Sequence, residues 1–356
     1  MARAVGRSDL FARAALGVGL AFPPSVAGEV DELQVRLLEE ALAILPEREE
    51  ALRVNLVARL THATYWQKDA ERSRRLGEEA LALARRSGNP YELTYALCAY
   101  YVSRLRPLWR ESLMPIADEM VLLSERTGNA ILIHQCHLWR LGEALRSGDR
   151  ENIDQEVERV AEGAERLRSP QLLALSSAIQ TTVALLEGRV EDAERHIEAS
   201  FAIGQRVNDP MALQHVGAQL AFLRELQGRL KEVELAVSLE TERSPHIKAW
   251  RAGLAVIYYN SGRADEARRE FEALAEENFS DIGPDVVWML TMSLLAEICT
   301  LLRDSRRAAR LYELLLPHAG EHIAIALVFY GGPVARCLAL LAATISRDEE
   351  AVHHFE

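Results

Sequence analysis

Tight turns recur along this chain at a nearly constant interval. Ser147-Gly148-Asp149, Glu187-Gly188-Arg189, Gln227-Gly228-Arg229 and Ser261-Gly262-Arg263 each follow an apolar stretch and precede one rich in Ala, Glu and Arg. Their glycines stand 40, 40 and 34 residues apart. Glycine suits the position just beyond a helix, where the backbone turns left-handed at a cost to any residue with a Cβ. Arg303-Asp304 and Arg347-Asp348 hold the same beat downstream without glycine, as do Gln67-Lys68-Asp69 and the stretch around Pro107 upstream. A spacing of this kind marks a repeat array whose units pack on their neighbours, so 356 residues need not divide into ordinary domains.

A second class of turn alternates with the first: Ser87-Gly88-Asn89-Pro90, Thr127-Gly128-Asn129, Ser169-Pro170, Asn208-Asp209-Pro210, Ser244-Pro245 and Asp281-Ile282-Gly283-Pro284. Ser, Asn or Asp before Pro caps a helix and then opens it with a residue lacking an N–H that would go unused. Two alternating turn types delimit two alternating helices. The first helix of each pair is expected over residues 48–66, 90–106, 129–147, 170–187, 210–227, 245–261, 284–302 and 333–346. Within them Ala178 and Thr181, Ala218 and Ala221, and Ala252 and Ala255 recur three apart, on one helix face where a partner helix can approach closely. Ala, Leu, Glu and Arg dominate throughout, while runs of Val, Ile and Thr long enough for a sheet are scarce. The fold class is therefore all-α, a solenoid of stacked antiparallel helix pairs. Residues 1–47 would form helices packing on or capping the array, and residues 48–356 about seven full pairs and an eighth that stops after Ala351 to Glu356 begins its second helix.

The run from Gly77 to Gly88, GEEALALARRSG, and the run from Gly262 to Ala273, GRADEARREFEA, resemble the second-helix half of tetratricopeptide repeats. The resemblance extends over most of the chain from about Arg48, although the repeats average nearer 40 residues than 34 and the first helices keep little of the Trp-Leu-Gly-Tyr pattern. The succession of degenerate pairs is also similar to the C-terminal region of bacterial signal-transduction ATPases, including LuxR-type regulators and proteins joined to class III adenylyl cyclase domains. These resemblances imply a right-handed superhelix and a non-catalytic scaffold, the sensor or partner-binding region of a larger signalling protein. The alternative is a free-standing receptor for a small molecule or peptide held in the superhelical groove.

Charge and chemistry narrow the choice. With 41 basic and 53 acidic residues the net charge is -12, which repels a phosphate backbone, and clusters such as Arg72, Arg74 and Arg75 share their helix with Glu78 and Glu79. No direct nucleic-acid binding is expected. The only lysines are Lys68, Lys231 and Lys248, none preceded by glycine, which excludes a phosphate-cradling Gly-Lys loop from this segment. No Gly-x-Ser-x-Gly elbow occurs. His134, Cys136 and His137 are the nearest approach to a metal site, but they lack a fourth ligand and Cys136 points away from the edge the histidines share. Neither His318 with His322, straddling Gly320, nor the adjacent His353 and His354 makes a site. Pairs such as Glu276-Glu277 diverge by about 100 degrees on a helix and read as solvated faces. No cofactor, metal or catalytic residue is expected.

Cys98, Cys136, Cys299 and Cys337 lie far apart in apolar stretches, as reduced core thiols would in a cytoplasmic protein. Arg3 and Arg7 ahead of an apolar run ending near Ser25-Val26-Ala27 resemble a secretory leader, although Asp9 and Arg13 interrupt it and Leu10 to Leu20 also suits an opening helix. No apolar stretch reaches the ~20 residues that span a membrane.

Polar and aromatic residues of the first helices are the default recognition surface for a protein, a peptide or a small effector. The candidates are Tyr100, Tyr101, Arg104, His134, Arg140, His215, Arg224, Tyr258, Tyr259 and Trp288. One interruption stands apart from the repeats, an apolar run from His322 to Tyr330 closed by Gly331-Gly332-Pro333. A loop this apolar must be buried, by ordinary helix packing, by extending a helix into the groove or by docking on a neighbouring domain.

Overall fold

A computed structural model describes residues 7–17, 30–67, 69–106, 112–325 and 327–356. Lys68, the stretch around Pro107 and the Ser25-Val26-Ala27 segment fall outside them. The fold is an all-α helical repeat solenoid with eighteen α-helices among the described residues. Ahead of the array lie α1 (Ser8–Leu16) and α2 (Glu32–Ile44). The first helices are α3 (Glu50–Ala63), α5 (Pro90–Ser103), α7 (Ala130–Ser147), α9 (Pro170–Leu186), α11 (Pro210–Leu226), α13 (Lys248–Asn260), α15 (Trp288–Leu301) and α17 (Val334–Thr344). Their second helices are α4 (Ala70–Ser87), α6 (Met114–Thr127), α8 (Arg150–Leu167), α10 (Val190–Val207), α12 (Glu234–Arg243), α14 (Ala264–Leu274), α16 (Ser305–Leu315) and α18 (Asp348–Phe355).

The turns work as their residues dictate. Gly148, Gly188, Gly228 and Gly262 have φ of 69°, 71°, 67° and 79°. Where glycine is missing, Arg303 and Ser346 are forced into the same region at 54° and 58°. Asp149 and Asp304 then cap the following helices, accepting from the Asn152 and Arg307 N–H groups at 3.1 Å in each case. In Asn208-Asp209-Pro210 one motif both ends a helix, through Asn208 at φ 51°, and opens the next, through Asp209 accepting from Met211 N at 3.0 Å.

Solenoid stacking shows in the contacts: α3 touches α4 and α5, α9 touches α10 and α11, and α13 touches α14 and α15. The chain forms two compact units, residues 1–143 and 144–356. In the first, Phe11, Ala12 and Ala15 of α1 and Val35, Leu38 and Ala41 of α2 pack on Leu52, Leu56 and Leu60 of α3. A seam of small residues, Ala58, Ala80, Ala84, Ala96 and Ala99, lets α3, α4 and α5 approach closely. In the second unit the largest core joins α13 to α18 around Phe271, Met292, Leu295 and Leu338. Ala178, Thr181, Ala252 and Ala255 are fully buried as their spacing predicts. Ala218 and Ala221 are half-buried, in the repeat whose second helix opens with a 3-10 turn at Leu230–Val233. All four cysteines are buried free thiols, and Sγ of Cys98 lies 3.9 Å from that of Cys136.

The run after α16 departs from the helical alternatives. It forms an antiparallel hairpin of β1 (His322–Ile325) and β2 (Phe329–Pro333), pairing Ala324 with Tyr330 and Ile325 with Phe329. Ile323 and Ile325 point into the core while His322 and Ala324 are half-buried, the two-residue alternation of a strand. β-Branched and aromatic side chains favour this form, and Gly331-Gly332-Pro333 would break a helix.

Candidate partner-binding groove

Within the second unit the hairpin lies across the first helices of earlier repeats. Its base is held first by charge. Glu321 meets Arg146 Nη1 at 3.3 Å, 175 residues away, and accepts from His318 Nδ1 at 2.9 Å. Burial pushes the Glu321 carboxyl up, but His318 and Arg146 together hold it below the ordinary range. The His318 ring lies against Trp288 of α15, centroids 5.4 Å apart. His322 packs on Gly148 so closely that a Cβ there would fall 2.7 Å from its Nε2, and Nδ1 of the same ring hydrogen-bonds the Tyr330 hydroxyl.

The hairpin tip reaches α9 and α11. Phe329 meets the Phe222 ring edge to face at 5.2 Å. Gln219 carries the polar contact: its Nε2 donates to the Val328 carbonyl at 2.8 Å, to the Ala178 carbonyl at 2.6 Å and towards Thr182 Oγ1 at 3.2 Å. Three acceptors surround this nitrogen, which fixes the orientation of the amide. Among the described residues its buried Oε1 has no donor. Thr182, Leu185, Gln219, Phe222, Val328, Phe329 and Tyr330 line a shallow recess beneath the tip that leaves no room for a water molecule.

Gln219, Phe222 and Glu225 follow one another at three-residue spacing on α11, so Glu225 continues the same stripe. Burial, reinforced by the charge of Glu297 on α15, pushes Glu225 up to about 7 against the opposing pull of Arg336 on α17. Burial likewise raises Glu297. Gln219, Phe222, Glu225, Glu297, Arg146 and Glu321 are not among the residues the sequence singles out. Gln219 shares α11 with Gln214, His215, Arg224 and Glu225, so no polar residue in that helix stood out as a signal.

The ten sequence candidates are distributed differently. Tyr101 is 1% exposed, and its hydroxyl donates to Glu143 Oε1 at 2.9 Å inside the first unit. Trp288 is a core residue of α15, and His134 is buried on α7. Three arginines turn back toward second helices: Arg104 to Glu78 at 3.0 Å, Arg140 to Asp118 at 2.7 Å and Arg224 to Glu194 at 2.9 Å. The Arg104 guanidinium also covers the Tyr100 ring at 4.6 Å, and Arg263 covers Tyr258 at 4.3 Å. Tyr259 packs on the α13–α18 core. His215 is held neutral by burial, which lowers it to about 4 although Asp209 pulls the other way. None of the ten lines the recess beneath the hairpin tip, while Trp288 packs on His318, the partner of Glu321 at the hairpin's base.

Among the described residues no group of three or more His, Cys, Asp or Glu is placed to hold a metal ion, and no helix is long and apolar enough to cross a membrane. Compared with known proteins, the chain matches no family model and no curated sequence.

Proposed function

We propose that this chain is a non-catalytic interaction module of a larger bacterial signalling protein, an ATPase, a transcription regulator or a cyclase, and that it binds an extended protein segment on the first-helix face of its second unit. One observation carries the reading. That face already holds an extended segment, gripped through a backbone carbonyl by Gln219 and through an aromatic side chain by Phe222. Main-chain recognition by a side-chain amide with an apolar contact beside it suits a peptide of loosely specified sequence. The recess beneath the tip leaves no room even for a water molecule, against the ~300–1,000 Å³ of ordinary small-ligand pockets. This favours the peptide form of the receptor alternative over its small-molecule form.

The test uses the full chain as bait, side by side with Phe222→Asp, in a lysate of the organism that encodes it. A protein retained by the wild-type chain and lost by the variant supports the reading, and a neighbouring ATPase or cyclase reading frame supports the parent assignment. Equal retention by both removes this face as the binding surface.

A further inference from the structure

We propose that the edge of the first unit formed by the turns into α5 and α7 docks an acidic, apolar segment of a partner protein. Its carboxylates meet Arg85, Arg86 and Arg126, and its large apolar side chains meet Tyr91, Leu122 and Ile131. This surface belongs to the first unit alone and stands without the second-unit reading above.

The two turns are copies of one another. Gly88 and Gly128 end α4 and α6 at φ 67° and 64°, and Asn89 and Asn129 then cap α5 and α7, accepting from the N–H groups of Tyr91 at 2.9 Å and Ile131 at 3.1 Å. Arg86 and Arg126 each stand two residues before the glycine, and Tyr91 and Ile131 three residues after it. In a stack of helix pairs, equivalent positions of neighbouring pairs line up along one edge. Each turn thus sets an arginine and a large apolar side chain on the same edge, and the pattern repeats from one pair to the next. Leu122 adds to it, because it lies one turn before Arg126 on the same face of α6.

Neither the charge nor the apolar surface is used within the fold. Arg85, Arg86 and Arg126 are exposed, and among the described residues none is paired with a carboxylate. Arg74, earlier in α4, shows the contrast, with Glu71 at 2.7 Å and Glu78 at 2.6 Å. In the last turns of α4 and α6 one carboxylate, Glu125, stands against the three arginines. Tyr91, Leu122 and Ile131 are 39%, 65% and 59% exposed. The Tyr91 ring is already fixed by stacking on Tyr95, centroids 6.4 Å apart and 9° from parallel, so it loses little freedom on binding. A helix gains from a basic last turn whatever its partners, and α8 keeps Arg166 in that place. Yet α8 and α9 carry Glu162 and Gln171 where Leu122 and Ile131 stand, so helix termini account for the arginines and not for the apolar side chains beside them.

The charge of the whole chain selects the occupant. Over the ~8 Å that charges reach in physiological salt, a short peptide meets only the local arginines. A nucleic acid or an anionic bilayer extends further and meets the net charge of -12.

The test uses the full chain and a fluorescein-labelled peptide in which aspartate alternates with phenylalanine and leucine, read by fluorescence anisotropy. Arg86→Gln with Arg126→Gln should weaken binding at least about ten-fold, and so should Leu122→Gln with Ile131→Gln. Arg166→Gln in α8 and Phe222→Asp in the second unit should leave it unchanged. No binding by the wild-type chain, equal binding by either edge variant, or loss in Phe222→Asp overturns the proposal. Should an edge variant lose its helical circular dichroism, the wild-type chain decides with a second peptide carrying asparagine for aspartate. Binding of that peptide at least about ten-fold weaker supports the arginine contacts, and equal binding of the two peptides refutes them. Capture by phosphatidylserine vesicles without binding of the peptide would make the edge a membrane contact and overturn the protein reading.

Discussion

Gly148→Ala tests whether the hairpin truly rests on the turn between α7 and α8. Two costs combine at this position. The left-handed backbone, φ +69°, penalises any Cβ by about 1–2 kcal/mol. The new Cβ would also lie 2.7 Å from Nε2 and 2.9 Å from Nδ1 of His322, so the ring must swing away. That movement breaks its hydrogen bond to Tyr330 and forces repacking, adding about 1–3 kcal/mol. Gly188 is the internal control. It has φ +71° and nothing within 4 Å of its would-be Cβ, so Gly188→Ala carries the backbone cost alone. Urea unfolding followed by far-ultraviolet circular dichroism should therefore place Gly148→Ala about 2 kcal/mol below Gly188→Ala. Adding His322→Ala should return most of that difference, a coupling of about 1–2 kcal/mol in a double-mutant cycle. Equal losses for the two alanine variants, or strict additivity with His322→Ala, would refute the packing argument.

Other positions give independent checks. Glu225 sits at about 7 when folded and at about 4.3 when unfolded, so the folded chain binds the extra proton between those values and stability falls as pH rises through this window. Discounted for its partial exposure, the effect is about 1–2 kcal/mol. Glu225→Gln should remove it: relative to the variant, wild type should lose stability between pH 5 and pH 8, and a flat difference would count against the buried acid pair. The opposite slope contributed by neutral buried His215 and His62 cancels in that comparison, because both chains carry it. Arg303→Gly should stabilise by about 0.5–1 kcal/mol by relieving φ +54°, read as a raised urea midpoint; a lowered midpoint would show that the Arg303 side chain matters more than its backbone. Tyr101→Phe strips a donor from Glu143, itself 2% exposed, and should cost about 1–3 kcal/mol in the same assay; a loss below about 0.5 kcal/mol would mean that the carboxylate finds another partner.

What the sequence made legible is local physics. The expected first helix over residues 170–187 is Pro170–Leu186, and that over 210–227 is Pro210–Leu226, because Pro, Asp and the residue in the left-handed turn act within a few bonds of where they stand. The hairpin is set by the opposite kind of interaction. Its strands carry a readable signal, the alternation in His322-Ile323-Ala324-Ile325, but a window four residues long competes poorly with a helical context. Its docking depends on Val328 meeting Gln219, 109 residues away, which no local pattern encodes. The arginine candidates pair with second-helix carboxylates for a related reason. A first-helix position suggested an open face, yet guanidinium groups are long enough to reach the neighbouring second helix, where Glu78, Asp118 and Glu194 supply closer partners than a groove does.

The hairpin also changes the mechanics of the array. In an open solenoid each repeat touches only its neighbours, and terminal repeats can unfold one at a time. Here Arg146 with Glu321 and Gln219 with Val328 join residues 175 and 109 positions apart, so α17 and α18 cannot leave as a unit without disturbing α7, α9 and α11. A two-stranded hairpin is marginal by itself, hence its order depends on the helices beneath it as much as theirs depends on it.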